Sequence, residues 1–235
     1  MNILNIETSG KICTVALTCD GALEMQLDEH EEMRHASRVA PFAEKCMAEL
    51  TRKGQRLDAV AVSIGPGSYT GLRIGLSFAK GLAFSLDVPL IGVDTLKILA
   101  VKAMFRTMDW QGTEILVPMI DARRMEVFTA AYDFALKPLV EPQPMILDEN
   151  SFKDLLDSGK HLYFMGDGAA KAREVISHPN AHWIDGLLPQ AKDMLALSEK
   201  ALRENDFIDV AYSVPEYLKD FQATKPSNKV LTTNN

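Results

Sequence analysis

Ile64–Gly75, with the sequence IGPGSYTGLRIG, is the most informative stretch of this chain. It closes an apolar, β-prone run that begins at Ala59, turns on two glycines and a proline, and opens a segment whose spacing predicts a helix to Leu86. Glycine inside a helix costs about 1 kcal/mol relative to alanine, so repeated glycines on one face need a reason. Small residues recur every four positions here, at Gly71, Gly75, Ala79 and Ala83. This stripe indicates close approach of another backbone, which belongs either to the chain's own fold or to a partner protein.

The residues before and after this stretch predict alternating strands and helices. The first half contains three strands and a hairpin signal at Asp20-Gly21, followed by a helix, the strand and helix described above, another strand and a further helix capped by Asp94. The predicted strands are Asn2–Thr8, Ile12–Cys19, Ala22–Leu27, Ala59–Ile64 and Leu90–Val93, and the first helix spans Val39–Lys53.

The second half repeats this order without a direct sequence repeat. Its predicted elements are strands at Ile115–Ile120, Val127–Tyr132 and Met145–Leu147, a helix at Phe152–Asp157, a strand at His161–Met165, and helices at Ala169–Ser177 and Met194–Leu202. A Pro-rich connection precedes the third of these strands. We therefore predict an α/β fold of two βββαβα-type lobes, each a mixed sheet flanked by helices. The expected lobes are residues 1–110 and 111–224, with 225–235 as a disordered tail.

Composition limits the classes of function. The chain has 235 residues, 47% of them apolar, and a net charge of -7, which argues against a nucleic-acid binder that works alone. The apolar run Gly81–Val93 is broken by Asp87 and is too short to span a bilayer. Cys13 and Cys19 lie on one predicted strand about 20 Å apart, too far for a disulfide. With no leader before the first strand, we expect a cytoplasmic protein without a membrane segment.

Several motifs resemble one family over nearly all of the first half and the opening of the second. They are ILNIETS at 3–9, the glycine motif at 64–75, GVDTL at 92–96, MIDAR at 119–123 followed by Glu126-Val127, and, weakly, PEYL at 215–218. The chain resembles the TsaB (YeaZ) family, the smaller relatives of the TsaD group within the actin-like superfold (ASKHA) that also contains sugar kinases. The resemblance implies a role in making threonylcarbamoyladenosine beside the anticodon of tRNAs that read codons beginning with adenine.

The resemblance also implies partners. The larger, TsaD-like relative transfers the threonylcarbamoyl group to adenine, while the smaller relative docks on it and does not perform the transfer. A TsaE-like ATPase is the third subunit, and tRNA is reached only through the complex. We therefore expect this chain to be a dimerisation and scaffold subunit and not an enzyme by itself.

The residues give an independent reason to doubt catalysis. The catalytic relative carries a His-x-x-x-His metal motif, in which two histidines one turn apart share an ion. The equivalent positions here are Asp94 and Ile98, and isoleucine cannot bind a metal. The stretch His178–His182 has the right letters, but Pro179 and Asn180 break a helix, so the two rings need not converge. We expect no metal site and no catalytic residue in this chain.

Two turns of the chain are candidates for nucleotide binding. Exposed amides near the glycine motif and the first turn could attract a phosphate, with Thr8, Ser9, Gly65, Gly67 and Ser68 as candidate contacts. Glu7 stands where actin-like ATPases use an aspartate to orient metal and water, so efficient ATP hydrolysis is not expected. We expect no cofactor bound tightly by this chain alone; ATP or ADP and a metal belong to the partner subunits.

The predicted docking surface combines the helices Val39–Lys53 and Thr70–Leu86, which in the family pair with the same helices of a second molecule, either another copy or the larger relative. Arg73 has no anionic neighbour one turn away, which suggests a partner off the helix, such as a carboxylate of another subunit. Gly75→Leu is predicted to block association and leave the monomer folded. The candidate contacts are Val39, Phe42, Cys46, Tyr69, Thr70, Gly71, Arg73, Ile74, Gly75 and Phe78.

The sequence leaves two rival functions open. The first is a glycoprotease-like metallopeptidase, which needs a metal or a nucleophile pair; the second is an ATP-dependent small-molecule kinase of the same superfold. Asp121 with Arg123, Arg124 and Glu126 resembles an acid-base cluster. Its position between two predicted strands instead makes Asp121 a cap for backbone amides in a turn.

Overall fold

The computed structural model describes residues 1–30, 34–106 and 109–219. Within that part of the chain there are ten strands, six α-helices and one 3-10 turn. The strands are β1 Asn2–Glu7, β2 Cys13–Cys19, β3 Ala22–Glu29, β4 Ala59–Gly65, β5 Leu90–Asp94, β6 Ile115–Asp121, β7 Glu126–Tyr132, β8 Pro138–Ile146, β9 Leu162–Met165 and β10 Ala181–Ile184. The helices are α1 His35–Arg52, α2 Tyr69–Leu86, α3 Thr95–Arg106, α4 Lys153–Asp157, α5 Ala169–Val175 and α6 Leu195–Glu204, with the 3-10 turn at Ala191–Met194.

The two sheets have the same topology. The first has the strand order β3-β2-β1-β4-β5 and the second the order β8-β7-β6-β9-β10. In each, the first three strands are antiparallel neighbours and the last two run parallel to the central strand. The expected α/β fold of two lobes, each with a mixed sheet flanked by helices, is confirmed.

The first sheet lies between helices on both of its faces. Leu4, Val60 and Val62 pack with α1 and α2 on one face, whereas Ile3 and Ala61 pack with α3 and α6 on the other. The strand β1 is buried along its whole length, as expected for a central strand covered on both sides. This central position of β1 brings the turn after it against the start of α2.

The second lobe differs from the predicted elements in two places. The Pro-rich stretch, expected to be a connection, forms the edge strand β8, where prolines are tolerated because an edge strand has one side without sheet hydrogen bonds. The short strand β10 was not predicted. Its four residues directly follow Pro179 and Asn180, whose residue types indicate a turn and not a strand.

The chain returns to the first lobe after the second sheet. Met194, Leu197 and Ala201 pack in the cluster that contains Ile3 and Ile91. The predicted boundary at 110/111 had placed these residues in the second lobe, whereas α6 packs on the first. For the residues before α6, the predicted boundary stays a prediction. The predicted tail, 225–235, lies outside the described residues.

Candidate functional site

The small-residue stripe of α2 faces the chain's own first sheet. A Cβ atom on Gly71 would lie under 3.0 Å from the carbonyl oxygen of Thr8, and one on Gly75 would lie under 3.0 Å from Thr8 Oγ1. Ala79 and Ala83 are fully buried. The assignment of Gly71 and Gly75 to a partner surface is therefore wrong, because the approaching backbone is that of the turn after β1. Gly75→Leu would disrupt the monomer before it could affect a partner.

The three candidate contacts on α1 are also core residues. Val39, Phe42 and Cys46 are 3%, 9% and 0% exposed and pack against the sheet. Their spacing identified one face of an amphipathic helix correctly, but that face points inward. These residues are not available to a partner in the folded chain.

Arg73 finds its partner within the chain. Its Nε atom donates to Tyr217 Oη at 3.0 Å, and its guanidinium lies 4.1 Å from the centre of the Tyr69 ring. The rings of Tyr69 and Tyr217 stack at 4.9 Å. Within the chain, the partner of Arg73 is therefore an aromatic pair from α2 and the C-terminal segment. Arg73 is exposed, and its contact with another subunit stays a prediction.

The C-terminal segment, residues 207–219, runs along α2 and ends at the second lobe. Lys80 Nζ donates to the carbonyl oxygens of Ala211 and Ser213 at 2.8 and 3.0 Å, and Glu216 N donates to Ile64 O at 2.7 Å. Lys219 then pairs with Glu126 of β7 at 2.6 Å. This segment lies along the side of α2 that carries Tyr69 and Arg73, and Arg73 stays exposed beside it.

The face of α2 that remains open lies opposite the glycine stripe. Thr70, Ser77 and Gly81 are exposed there, and Phe84 is 81% exposed. A Cβ atom added to Gly81 would have no other atom within 4 Å. Ile74 and Phe78 are partly buried beside this open face, where they pack against the core.

Of the predicted docking set, Thr70 lies on this exposed face and Ile74 and Phe78 border it. The exposed Ser77, Gly81 and Phe84 were not in that set. The 3.6-residue periodicity that located the glycine stripe also locates its opposite face, so that signal was available. We refer to Thr70, Ser77, Gly81 and Phe84 as the open face of α2.

The predicted phosphate contacts come together where the turn after β1 meets the glycine motif. Ser68 N donates to Ser9 O at 2.6 Å, and a Cβ on Gly67 would lie 2.5 Å from the same oxygen. Thr8 Oγ1 donates to Gly71 O at 2.8 Å, and Ser68 Oγ caps α2 by accepting from Gly71 N at 3.2 Å. The two loops thus pack on each other, and phosphate contact there stays a prediction.

Gly65, the remaining candidate contact, is covered by the C-terminal segment. A Cβ at this position would lie 2.6 Å from the carbonyl oxygen of Glu216. Its φ of 127° lies in the region that favours glycine. Close approach of the segment and backbone conformation together explain the glycine here.

Glu7, the last residue of β1, places a buried carboxyl group beside the first turn. Its Oε1 accepts from Ser9 N at 2.5 Å, its Oε2 has no hydrogen-bond partner, and its side chain is fully buried. Burial raises the pKa of this carboxyl to about 7, while the hydrogen bonds from Ser9 act in the opposite direction. The amide of Ser9, which could otherwise face a phosphate, is already used by a carboxylate of the same chain.

Asp94 and Asp121 both serve the backbone. Asp94 Oδ1 accepts from the amides of Leu96 and Lys97 at 2.7 and 3.3 Å, which confirms it as the cap of α3. Asp121 Oδ1 accepts from Arg123 N and from Lys171 Nζ, each at 2.6 Å, which confirms the predicted turn. Ile98, which the sequence comparison predicted at the second position of the absent metal-ligand pair, is fully buried in the core.

The histidines at 178 and 182 face different neighbours. His178 Nδ1 accepts from Asn180 N at 3.1 Å, while His182 Nε2 lies 2.8 Å from His161 Nδ1. Across residues 1–30, 34–106 and 109–219, no group of three or more His, Cys, Asp or Glu side chains is arranged to hold a metal ion. In the same ranges, no helix combines the length and apolar character that crossing a bilayer requires.

Comparison with known proteins agrees with this architecture. The family model of TsaD, described as tRNA N6-adenosine threonylcarbamoyltransferase, matches residues 29–227. The tRNA threonylcarbamoyladenosine biosynthesis protein TsaB of Escherichia coli is 29% identical over 233 residues, with 96% of this chain and 97% of the relative covered. TsaB of Buchnera aphidicola from Schizaphis graminum is 31% identical over 201 residues, with 82% and 90% covered.

A solved structure extends the likeness to three dimensions. YeaZ from Pseudomonas aeruginosa superposes with a TM-score of 0.76 at 28% identity, covering 92% of this chain and 99% of that one. Sequence and fold therefore agree over nearly the whole length. This chain belongs to the TsaB branch of the TsaD family.

Proposed function

We propose that this chain is an accessory subunit in the biosynthesis of threonylcarbamoyladenosine in tRNA and that it acts by docking on a TsaD-type transferase. The supporting observation is the end-to-end match to TsaB proteins, whose name states that pathway. The rival functions, a metallopeptidase and a small-molecule kinase, are not favoured by these matches. With three free cysteines, a reducing cytoplasm is the proposed location.

The lack of catalysis is part of this proposal. Ile98 lies in the core and Asp94 is committed to the cap of α3, so the pair that aligns with the metal ligands of the catalytic relative is used for folding. Glu7 supplies a carboxylate to the first turn, where a nucleotide phosphate would need the same amide. We accordingly place ATP or ADP, the metal and the transfer step on the partner subunits.

The open face of α2 is the proposed docking surface for the TsaD-type subunit. It offers a helix with an exposed phenylalanine and a glycine that lets another helix approach closely. A homodimer would use the same face, and the TsaE-type ATPase and tRNA would be reached through the complex.

Gly81→Leu tests the docking surface. The leucine side chain has free space in the monomer, so the variant should remain folded while it obstructs a helix that approaches α2. Ala170→Leu, an exposed position on α5, is the matched control. We expect Gly81→Leu to lose co-purification with the TsaD-type subunit and to lower threonylcarbamoyladenosine in tRNA, measured by mass spectrometry of nucleosides from a strain that depends on the variant.

Different failures have different meanings. Wild-type association by Gly81→Leu would overturn the docking surface alone. If removal of the wild-type chain left the modified nucleoside unchanged, the proposed pathway itself would be wrong. Threonylcarbamoyl transfer to tRNA by the purified chain without partners would overturn the accessory role.

A further inference from the structure

Two imidazole rings lie side by side at the edge of the second sheet. His161 Nδ1 and His182 Nε2 are 2.8 Å apart, and the ring centres are separated by 5.0 Å. His161 immediately precedes β9, and His182 lies on the edge strand β10. His161 is exposed and His182 is partly exposed, so small ions can reach both.

The sheet register produces this pairing. β9 and β10 are parallel, with His182 opposite Tyr163, so that His161, Tyr163 and His182 share one face of the sheet. The ring of Tyr163 stacks on His182 at 4.7 Å and is itself contacted by the edge of Trp110 at 4.7 Å. His182 is thus held in orientation by an aromatic neighbour, while the exposed His161 can rotate.

The distance between the nitrogens suits two ligands on one ion. Two imidazole nitrogens at about 2.0–2.1 Å from a metal are about 2.9 Å apart if they subtend a right angle and about 3.4 Å apart in a tetrahedral site. The observed 2.8 Å is a hydrogen bond in which one of the two nitrogens carries the proton, so an ion must displace that proton to water. The separation of the nitrogens then needs to change little to reach the right-angle value, which is typical of tetragonal Cu²⁺ and Ni²⁺. A small rotation of the His161 ring would direct both lone pairs to one point.

We propose that His161 and His182 form a surface site for a late divalent transition metal, with Cu²⁺ and Ni²⁺ preferred over Zn²⁺. The pair supplies two neighbouring coordination positions, and water fills the others. The nearby Glu114 is not a ligand, since its oxygens accept from the amides of Gln111 and Thr113 at 2.8 and 3.0 Å. The bound ion would join β9 to the edge strand β10.

The test uses the full chain without a histidine tag, titrated with Cu²⁺ or Ni²⁺ alone. Trp110, which contacts the Tyr163 ring that stacks on His182, reports binding by fluorescence quenching. His161→Gln and His182→Gln remove one ligand each, and His178→Gln is the matched control because His178 faces Asp157 instead. Copper EPR at one equivalent counts the coordinated nitrogens without depending on fluorescence.

We expect saturable binding of one ion, two imidazole nitrogens in the EPR spectrum, and unchanged binding in His178→Gln. Each ligand variant should weaken binding by about tenfold or more. Affinity in either ligand variant equal to that of the wild type would overturn the site, as would an equal loss in His178→Gln. A spectrum with a single nitrogen at one equivalent would also overturn it. The outcome does not depend on the proposed tRNA pathway.

Discussion

Two glycines of the same helix should respond in opposite directions to the same substitution. Gly75 faces the turn after β1, where an added Cβ would collide with Thr8 Oγ1, whereas Gly81 faces open space. Alanine is favoured over glycine in a helix by about 1 kcal/mol, and this gain applies to both sites. Gly81→Ala should therefore stabilise the fold by about 1 kcal/mol, which is a rise in Tm of about 2–4 °C for a chain of this size.

The same gain at Gly75 is outweighed by the collision. Thr8 is fully buried, and its hydroxyl donates to Gly71 O at 2.8 Å, so moving it sacrifices a hydrogen bond of about 1 kcal/mol. Overpacking of a filled core costs a further amount of about 1–3 kcal/mol. We expect Gly75→Ala to lower the free energy of unfolding by about 1–3 kcal/mol in total.

Urea denaturation followed by circular dichroism measures both variants, and Thr8→Ala completes the cycle. Thr8→Ala removes the hydroxyl that a Cβ at Gly75 meets, so Gly75→Ala should cost less in that background by about 1 kcal/mol or more. The reasoning is refuted if Gly75→Ala is as stable as Gly81→Ala. It is also refuted if the two substitutions at Thr8 and Gly75 are additive.

Two further predictions concern the start of α2 and the turn after β1. Ser68→Ala removes the cap on Gly71 N and should cost about 1 kcal/mol in thermal or chemical denaturation, whereas Ser77→Ala, an exposed position in the same helix, should cost nothing; equal effects would contradict the cap. Glu7 has a pKa raised from 4.5 to about 7, so the folded state binds its proton more tightly and wild-type stability should fall as pH rises from 4.5 to about 7. Glu7→Gln lacks this titration, so its free energy of unfolding relative to wild type should increase over that interval by up to about 3 kcal/mol. Guanidinium denaturation at pH 5 and pH 8 measures this difference. A difference that is the same at both pH values would contradict the prediction.

Local patterns were sufficient for most of the fold. The central strand β1 and the strand β4 are apolar runs bounded by turn residues, and the ends of α2 are marked by the glycine motif before it and Asp87 after it. Asp94 was recognised as a cap because capping depends on amides only two or three residues away. Such interactions are short in sequence, so a single sequence reports them directly.

The candidate site was only partly predictable for the same reason. The glycine stripe showed that a backbone approaches α2, but the sequence cannot say whose backbone it is. The answer is Thr8, which is 63 residues away from Gly71 and reaches it because β1 pairs with β4. The unpaired Arg73 posed a similar question, and its partner Tyr217 lies 144 residues along the chain.

The amino-acid sequence by itself determined the two-lobed α/β order, the helix caps and the family motifs, because each depends on neighbouring residues. Only the tertiary structure decided which face of α2 is open, that residues 207–219 lie along this helix, and that His161 meets His182. Those features arise when sheet pairing and burial bring distant segments together, and no local periodicity records which segments will meet.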